Sequence, residues 1–384
     1  MTYIYNKHNS FFGFRSKKNE DRKKIIENIK LLINDSNIIS KFNSTENKIV
    51  KNINSDLFNK RNSAKNKFEI SENVFDEIKD LSPENKIKYL IHRYRYEVFP
   101  QKNELDDYPP YLQIEPTSFC NYRCIFCYQT DKELTKKSNG FMGKMKLDTF
   151  KMIIDQAQGN IEFISLASRG EPLLCPDIIK MLAYTRDKFL NLKINTNASV
   201  LNEKISHAIL QSGVKTVVFS ADAADEKTYS KYRVNGILSK VLKNIDSFEK
   251  IRQNQYSTSK IITRVSGVKV NDNDQDLDEM EKFWGGMVDQ VAFVNYIPWE
   301  NVYKSKKTNI NLPCSDLWRR MFVWWDGKAN PCDVDYKSNL SVGDIHKDNI
   351  SSIWRSESYQ SLRENHLIKN KRSTIEPCNK CSVV

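Results

Sequence analysis

The segment YLQIEPTSFCNYRCIFC, residues 111–127, joins an apolar run to three closely spaced cysteines. Its first part, residues 111–117, has the length and composition of a buried β-strand. Cys120, Cys124 and Cys127 follow as C-x-x-x-C-x-x-C on one short loop. Thiolates are the ligands of iron–sulfur clusters, whereas a closed structural zinc site takes four ligands. The loop therefore indicates a metal site with one open position; a zinc knuckle with a distant fourth ligand and a chance spacing are the alternatives.

Strand-like and helix-like segments alternate from this point onward. The strand-like segments are residues 111–117, 161–167, 192–198, 216–222, 261–268 and 290–297. Amphipathic stretches of helical length separate them. This alternation is typical of a parallel sheet whose strands are joined by crossover helices. We therefore expect an α/β fold in which residues 108–300 form a partial (β/α)6 TIM-like barrel.

The first 107 residues differ in composition from the rest of the chain. They are rich in Lys, Asn and Ser, and residues 22–34 show the apolar spacing of an amphipathic helix. A second helix is expected after Ser82, because Ser is a good N-cap and Pro83 suits the first helical position. Residues 35–67 have the polar composition of a disordered tract. Residues 1–107 are thus expected to form a mainly helical, partly disordered arm, with a docking or lid segment as the alternative.

The composition of the whole chain limits its functional class. The 384 residues have a formal net charge of +12 and are 39% hydrophobic. No run approaches the ~18 apolar residues of a membrane span, and the N-terminus lacks the features of a secretion signal, so we expect a cytoplasmic protein. The lysines are dispersed rather than interleaved with aromatic residues, which disfavours nucleic acid as a partner. Eight cysteines in a reducing compartment indicate metal binding or catalysis rather than disulfides.

The segment CNYRCIFC, residues 120–127, with the strand before it, resembles the cluster-binding segment of the radical S-adenosylmethionine (SAM) superfamily. In that family the three cysteines bind three irons of a [4Fe-4S] cluster, and the fourth iron binds SAM. The resemblance implies reductive cleavage of SAM to a 5′-deoxyadenosyl radical, which abstracts a hydrogen atom from a substrate. It also implies an electron donor of the flavodoxin or ferredoxin type, and it places Phe126 against the adenine.

A second part of the resemblance follows the second predicted strand. Residues 168–172 read SRGEP and resemble the GGEP motif of the family, whose backbone and Glu hold the methionine amino group of SAM. The resemblance assigns this role to Gly170, Glu171 and Pro172, with Arg169 in place of the first Gly. Read alone, the segment is an ordinary turn before a helix, with Glu favoured by the helix dipole. Its position at the end of a barrel strand favours the cofactor role.

The next two strands also end in polar residues. Asn197 follows the third strand, and Ser220 and Asp222 follow the fourth. Arg233 ends a Y-x-x-x-R stretch that begins at Tyr229. The resemblance assigns these residues to polar contacts with SAM, and Arg233 to an anionic group. Turn formation by Asn and Asp, and a solvated Arg233, are the alternatives.

Four further cysteines near the end of the chain can fill a metal site by themselves: Cys314, Cys332, Cys378 and Cys381. The first two flank Gly327 as C-x12-G-x4-C, and the last two read C-x-x-C. This pattern resembles the SPASM or shorter twitch extension of radical SAM enzymes. Residues 301–384 are therefore expected to form a small domain, a β-hairpin plus helix, with one auxiliary [4Fe-4S] cluster. A four-cysteine zinc site is the alternative.

Together the two cysteine groups predict a radical SAM iron–sulfur oxidoreductase. A fully ligated auxiliary cluster suits electron transfer, so we expect net oxidation of a small polar substrate, a sugar or sugar nucleotide. Radical modification of a peptide or protein side chain is the second hypothesis, and a zinc-stabilised, non-catalytic binding module is the third. The catalytic acid or base is not identifiable, although Asp333, Asp335 and Tyr336 lie near Cys332. The eighth cysteine, Cys175, is expected in the core.

Overall fold

A computed structural model describes residues 13–16, 22–59, 67–270 and 274–382. These residues contain twelve β-strands, ten of which form one sheet. In chain order the strands are β1 (Gly13–Ser16), β2 (Tyr111–Ile114), β3 (Arg123–Cys124), β4 (Phe163–Leu166), β5 (Asn191–Thr196), β6 (Val214–Ser220), β7 (Arg233–Val234), β8 (Ile262–Lys269), β9 (Gln290–Asn295), β10 (Arg320–Val323), β11 (Lys328–Asn330) and β12 (Gly343–Asp344).

Sixteen α-helices occur in the same described residues. They are α1 (Arg22–Ile33), α2 (Ser36–Ile39), α3 (Ser44–Phe58), α4 (Glu72–Ile78), α5 (Pro83–Glu97), α6 (Phe99–Lys102), α7 (Lys132–Thr135), α8 (Leu147–Ala157), α9 (Ile178–Tyr184), α10 (Glu203–Gln211), α11 (Glu226–Tyr232), α12 (Leu238–Gln255), α13 (Leu277–Gly285), α14 (Asp316–Arg319), α15 (Ile350–Trp354) and α16 (Glu357–Leu367). In the part of the chain that the structure describes, none of these helices has the length and apolarity needed to span a membrane.

The centre of the sheet consists of the six predicted strands. They neighbour one another in the order β2, β4, β5, β6, β8 and β9, and all five pairings are parallel. Helices lie between consecutive strands along the chain, as crossover connections require. The expected α/β partial barrel is therefore confirmed.

Side chains alternate between the two faces of these strands. One face is apolar and buried in the main core, as Ile114, Leu166 and Ile194 show. The opposite face is largely polar and lines an interior cavity, to which Gln113 and Lys193 contribute. The barrel therefore encloses a space for a ligand rather than a packed apolar centre.

Both edges of the central sheet are extended by further strands. β1 pairs antiparallel with β9, and β10 pairs parallel with β2, from Arg320 beside Tyr111 to Val323 beside Ile114. β10 and β11 form the predicted hairpin, with Gly327 at a φ of 87° in its turn, a conformation that favours glycine. The C-terminal hairpin thus continues the barrel sheet across the domain boundary expected at residue 300.

The disorder expected for residues 35–67 is wrong for residues 35–59, which form α2 and α3. α3 begins with a capping box, in which Glu46 N donates to Asn43 Oδ1 and Asn43 N donates to Glu46 Oε2. One face of α3 is buried, as Ile53 shows. A narrow apolar stripe is therefore enough to hold this helix despite its polar composition. Residues 60–66 of the same tract lie outside the described residues.

The N-terminal arm closes one end of the barrel through α4 and α5. The cap of α5 is as predicted, since Asn85 N donates to Ser82 Oγ at 3.4 Å. On α4, Asp76 accepts a hydrogen bond from Gln290 at 2.7 Å, and Glu77 accepts one from Asn191 at 3.1 Å. Because Gln290 and Asn191 are the first residues of β9 and β5, the arm covers the amino-terminal end of the barrel.

Candidate functional site

The three-cysteine loop lies at the carboxyl end of β2. Backbone hydrogen bonds shape the loop, with Cys127 N donating to Cys124 O at 3.0 Å. Cys124 is also held by the short β3–β7 pairing, in which it lies opposite Arg233. Cys120, Cys124 and Cys127 all line one cavity of about 950 Å³ inside the barrel. The loop thus presents three thiols to a single cavity.

Burial in this loop disfavours the charged form of the thiols. It raises the pKa of Cys120 to about 12, with the nearby Glu171 carboxylate adding to the shift, and it raises the pKa of Cys124 and of Cys127 as well. A bound metal provides the positive charge that thiolates require. No three His, Cys, Asp or Glu side chains among the described residues converge on the position of a single metal ion. A cluster with several irons spreads its ligands over separate corners, so the open arrangement of the loop fits a cluster better than one ion.

The predicted SRGEP turn lies against this loop. A Cβ on Gly170 would come within 2.2 Å of Thr117 O, so glycine allows a contact that any side chain would obstruct. Glu171 N donates to Phe119 O at 2.9 Å, which places the carboxylate of Glu171 beside the cysteines. Pro172 begins a buried turn of 3₁₀ helix. Gly170 and Glu171 therefore lie on the cavity wall, whereas Pro172 is not among the described residues that line it.

Glu171 also binds the end of β5. Its two carboxylate oxygens accept hydrogen bonds from Thr196 Oγ1 at 2.6 Å and from Asn197 N at 2.7 Å. Burial nevertheless raises the pKa of Glu171 to about 7, although these hydrogen bonds oppose the shift. Asn197 Nδ2 lies 4.0 Å from Cys120 Sγ. Glu171 and Asn197 thus form one polar group next to the first cysteine.

Arg233 and Phe126 form the opposite part of the cavity wall. The Arg233 guanidinium lies 5.6 Å from the centre of the Phe126 ring, and its Nη1 is 3.8 Å from Cys124 Sγ. Asp222 is fully buried and holds Arg233 Nε at 2.6 Å. Ser220 lines the cavity, whereas Asp222 is not on the wall that the structure describes. Asp222 therefore positions Arg233, and the solvated alternative for Arg233 is wrong because its side chain is buried.

Sequence reasoning missed several residues of the cavity wall. Ser168 has a φ of 135°, and its buried Oγ has no hydrogen-bond partner among the described residues. Trp299 donates from Nε1 to Phe126 O at 3.0 Å and so covers the loop from the C-terminal side. Lys193 and Arg264 line the deeper part of the cavity. Only the alternation of polar and apolar residues within the strands could have indicated Lys193 and Arg264.

The second cysteine group gathers residues from distant parts of the chain. Cys332 and Cys381 lie in one apolar cluster with Val334 and Tyr336. Burial raises the pKa of Cys378, and the neighbouring Cys314 and Cys381 raise it further. The four cysteines are thus neighbours in the fold, as their pattern predicts. Four adjacent thiols can supply all the ligands of one cluster, whereas no three of them converge on the position of a single ion in the part of the chain that the structure describes.

Aromatic residues connect the two cysteine groups. Tyr128, which follows Cys127, packs on Tyr336 with ring centres 5.2 Å apart, and Tyr336 contacts Tyr303 at 5.0 Å. Tyr303 donates a hydrogen bond to Asp335, whose pKa burial raises to about 6. Asp335 and Tyr336 therefore belong to the contact between the barrel and the C-terminal domain. Cys175 is buried in the core with its Sγ 3.9 Å from Met181 Sδ, as predicted.

Two family profiles match the chain. The profile of the Radical SAM superfamily matches residues 114–283, and that of the SPASM iron–sulfur cluster-binding domain matches residues 314–382.

Two curated proteins match the chain at low sequence identity. The tungsten-containing aldehyde ferredoxin oxidoreductase cofactor-modifying protein of Pyrococcus furiosus is 22% identical over 71% of this chain and 87% of its own length. GTP 3′,8-cyclase of Campylobacter lari is 27% identical over 51% of this chain and 58% of its own length.

Solved structures show the same fold at low sequence identity. Streptococcus suis SuiB bound to the precursor peptide SuiA has a TM-score of 0.54 at 16% identity, covering 88% of this chain and 83% of SuiB. Native anSMEcpe with bound AdoMet has a TM-score of 0.52 at 16% identity, covering 71% of this chain and 89% of anSMEcpe.

The fold and the two cysteine groups define an iron–sulfur enzyme built on a partial α/β barrel. The chain belongs to the radical SAM superfamily and carries a SPASM iron–sulfur cluster-binding domain. It therefore binds a [4Fe-4S] cluster with SAM in its barrel and auxiliary iron–sulfur in its C-terminal domain.

Proposed function

We propose that this enzyme oxidises a small polar substrate inside the barrel, with Cys120, Cys124 and Cys127 as the ligands of the SAM-binding cluster. The observation that carries the proposal is that these three cysteines line the same cavity as Glu171. When bound, the cluster and SAM supply a 5′-deoxyadenosyl radical, which takes a hydrogen atom from the substrate to give 5′-deoxyadenosine and a substrate radical. Loss of one electron and one proton from that radical gives the oxidised product.

The residues around the three cysteines suit the parts of SAM. The Glu171 carboxylate accepts hydrogen bonds and attracts a cation, as the methionine ammonium requires. Arg233, held by Asp222, offers a guanidinium to the methionine carboxylate. Asn197 and Ser220 are available to the ribose, and Phe126 offers a ring face to the adenine. The chain's contribution is to orient SAM next to the open iron and to exclude water.

The second cysteine group supplies an electron acceptor for the oxidation. Cys314, Cys332, Cys378 and Cys381 would hold one auxiliary [4Fe-4S] cluster with all four irons ligated. Such a cluster leaves no position for the substrate, so its contribution is electron transfer. A flavodoxin- or ferredoxin-type donor in the cytoplasm would supply the electron for SAM cleavage.

The closed end of the barrel supports a small substrate over a peptide. α4 contacts the first residues of β5 and β9, through Glu77 with Asn191 and through Asp76 with Gln290. α4 therefore covers this end of the barrel, and arm residues such as Arg93 and Glu97 line the cavity. A cavity of about 950 Å³ is of the size that proteins use for small ligands.

The substrate class can be tested by deuterium transfer. The reconstituted enzyme would be reduced anaerobically with dithionite and SAM, and incubated with deuterated sugar phosphates, sugar nucleotides or peptides. We expect one deuterium to enter 5′-deoxyadenosine from a sugar substrate, and the product to be lighter than the deuterated substrate by one deuterium and one hydrogen, about three mass units. Transfer from peptides alone would contradict the proposed class, because the radical would then act on a peptide side chain.

A further inference from the structure

Lys193 faces the interior of the barrel from the middle of β5. It lines the cavity with Asn195, the next inward position on the same strand, and with Asn197 just past the strand end. A parallel strand rises roughly 3.3 Å per residue, which puts the Cα of Lys193 about 13 Å below that of Asn197. Since Asn197 lies beside Cys120, Lys193 occupies the deep part of the cavity, away from the cysteine loop.

Two further cations surround this position on the cavity wall, and both have partners. Arg264 donates from Nε to Gln290 Oε1 at 2.8 Å and pairs with Glu77 at 3.2 Å. Arg320 donates from Nε to Tyr96 OH at 2.7 Å. Arg320 Nε also lies 3.9 Å from Asp316. These contacts hold the two guanidinium groups in place.

Lys193 itself has neither a hydrogen bond nor an ion pair within the described residues. Burial, together with the positive charges of Arg264 and Arg320, lowers the pKa of Lys193 to about 8, whereas Glu77 opposes the shift. Lys193 is half-buried, and its side chain lines the cavity beside those of Arg264 and Arg320. The deep part of the cavity therefore presents a positive charge that is available to an anionic ligand.

We propose that Lys193 binds an anionic group of the substrate, a phosphate or a carboxylate, with Arg264 and Arg320 adding favourable potential. The inference rests on the proposed function for the identity of this ligand as the substrate. An anion at Lys193 fixes one end of the molecule and directs the other end toward Cys120, where the hydrogen atom is removed. The substrate is then an anionic small molecule, such as a phosphorylated sugar, with its reacting carbon remote from its charge.

Acetylation of Lys193 tests the site without using catalysis. The reconstituted holoenzyme would be treated with acetic anhydride at pH 8, alone, with inorganic phosphate or with succinate at equal ionic strength, and peptides would be quantified by mass spectrometry. We expect phosphate, succinate or both to protect Lys193 in a concentration-dependent way, while the exposed Lys215 is unaffected. Protection by one anion identifies phosphate or carboxylate as the preferred group. Equal acetylation of Lys193 with and without both anions overturns the proposal.

A variant series gives a second readout. A ligand that binds only the folded state raises the melting temperature. We expect the protecting anion to raise the melting temperature of the wild type, of Lys193→Arg and of the control Lys215→Gln, but not of Lys193→Gln. An equal rise in Lys193→Gln places the anion elsewhere and overturns the proposal.

The two proposals fail in different ways. Formation of 5′-deoxyadenosine with an unprotected Lys193 would refute the anion site and leave the radical chemistry intact. A protected Lys193 in a reduced, iron-loaded enzyme that never cleaves SAM would refute the proposed function and leave the anion site intact.

Discussion

Arg169 and Glu115 form a buried, two-pronged ion pair, with Arg169 Nε 2.7 Å and Nη2 2.6 Å from the two carboxylate oxygens. Their side chains are 2% and 0% exposed. Arg169 Nη1 also donates to Tyr336 O at 2.9 Å, and the guanidinium lies 4.6 Å from the Trp324 ring. Arg169 stands where the family's motif has its first glycine. In this chain that position joins the cofactor loops to the C-terminal domain.

Breaking this ion pair should destabilise the protein strongly. Arg169→Met or Glu115→Gln leaves a buried group without its partner, which costs about 3–5 kcal/mol of unfolding free energy. Urea unfolding measures the loss, and the double variant should lose less than the sum of the single variants. Arg355→Ala, which breaks an exposed pair with Asp107, should cost no more than about 1 kcal/mol. Additive losses at Arg169 and Glu115 would show that the two side chains are not coupled.

SAM affinity should rise with pH through the titration of Glu171. Burial raises the pKa of Glu171 to about 7 in the ligand-free protein, so the carboxylate that attracts the methionine ammonium is protonated below pH 7 and ionised above it. Anaerobic calorimetry should therefore show tighter SAM binding at pH 8 than at pH 6. Glu171→Gln should remove this dependence and weaken binding about 10- to 100-fold, the value of a charged hydrogen bond. An unchanged pH dependence in Glu171→Gln would assign the titration to another group.

Gly170 should be intolerant of any side chain. A Cβ there would meet two backbone oxygens, Thr117 O at 2.2 Å and Phe119 O at 2.6 Å, and backbone cannot move aside cheaply. Gly170→Ala should therefore lower both the iron content and the SAM affinity, at a cost of about 1–3 kcal/mol. Gly286→Ala is the matched control, since its Cβ would lie 3.5 Å from Phe283 O, which is an ordinary van der Waals contact. Normal iron content and SAM affinity in Gly170→Ala would mean that the cluster loop can shift freely.

SAM cleavage should not require the auxiliary cysteines. Replacing Cys378 and Cys381 by Ala should remove about four irons per chain, the content of one [4Fe-4S] cluster, and leave the barrel cluster in place. We expect some uncoupled 5′-deoxyadenosine formation to persist and substrate oxidation to stop. Metal analysis decides between cluster and zinc: about one zinc per chain lost with no change in iron would contradict the auxiliary cluster.

The six central strands and the cysteine loop could be predicted because their signals are local. Apolar runs, crossover helices and cysteine spacing are each visible within a few residues of sequence. The pairing of β10 with β2 could not be predicted from the sequence. It joins residues 320–323 to residues 111–114, and nothing in either segment specifies the other. The ion pair of Arg169 with Glu115 is a long-range contact of the same kind.

The polar residues that line the interior of the barrel could not be predicted from the sequence either. A polar residue on a strand, such as Lys193, is normally assigned to a solvent-exposed face. Its position inside the cavity follows only from closure of the sheet around it. The helices at residues 35–59 were missed for a different reason, since their Lys- and Asn-rich composition masks the buried Ile49 and Ile53.

SAM cleavage by the three-cysteine loop is the most direct test of the account. The reconstituted wild type and the variant with Cys120, Cys124 and Cys127 replaced by Ala would be reduced with dithionite, and 5′-deoxyadenosine would be quantified by chromatography. The core variant Cys175→Ala is the matched control. We predict 5′-deoxyadenosine from the wild type and from Cys175→Ala, and none from the triple variant, which should also lack about four irons. Equal amounts from the wild type and the triple variant, or none from an iron-loaded wild type, would contradict the account.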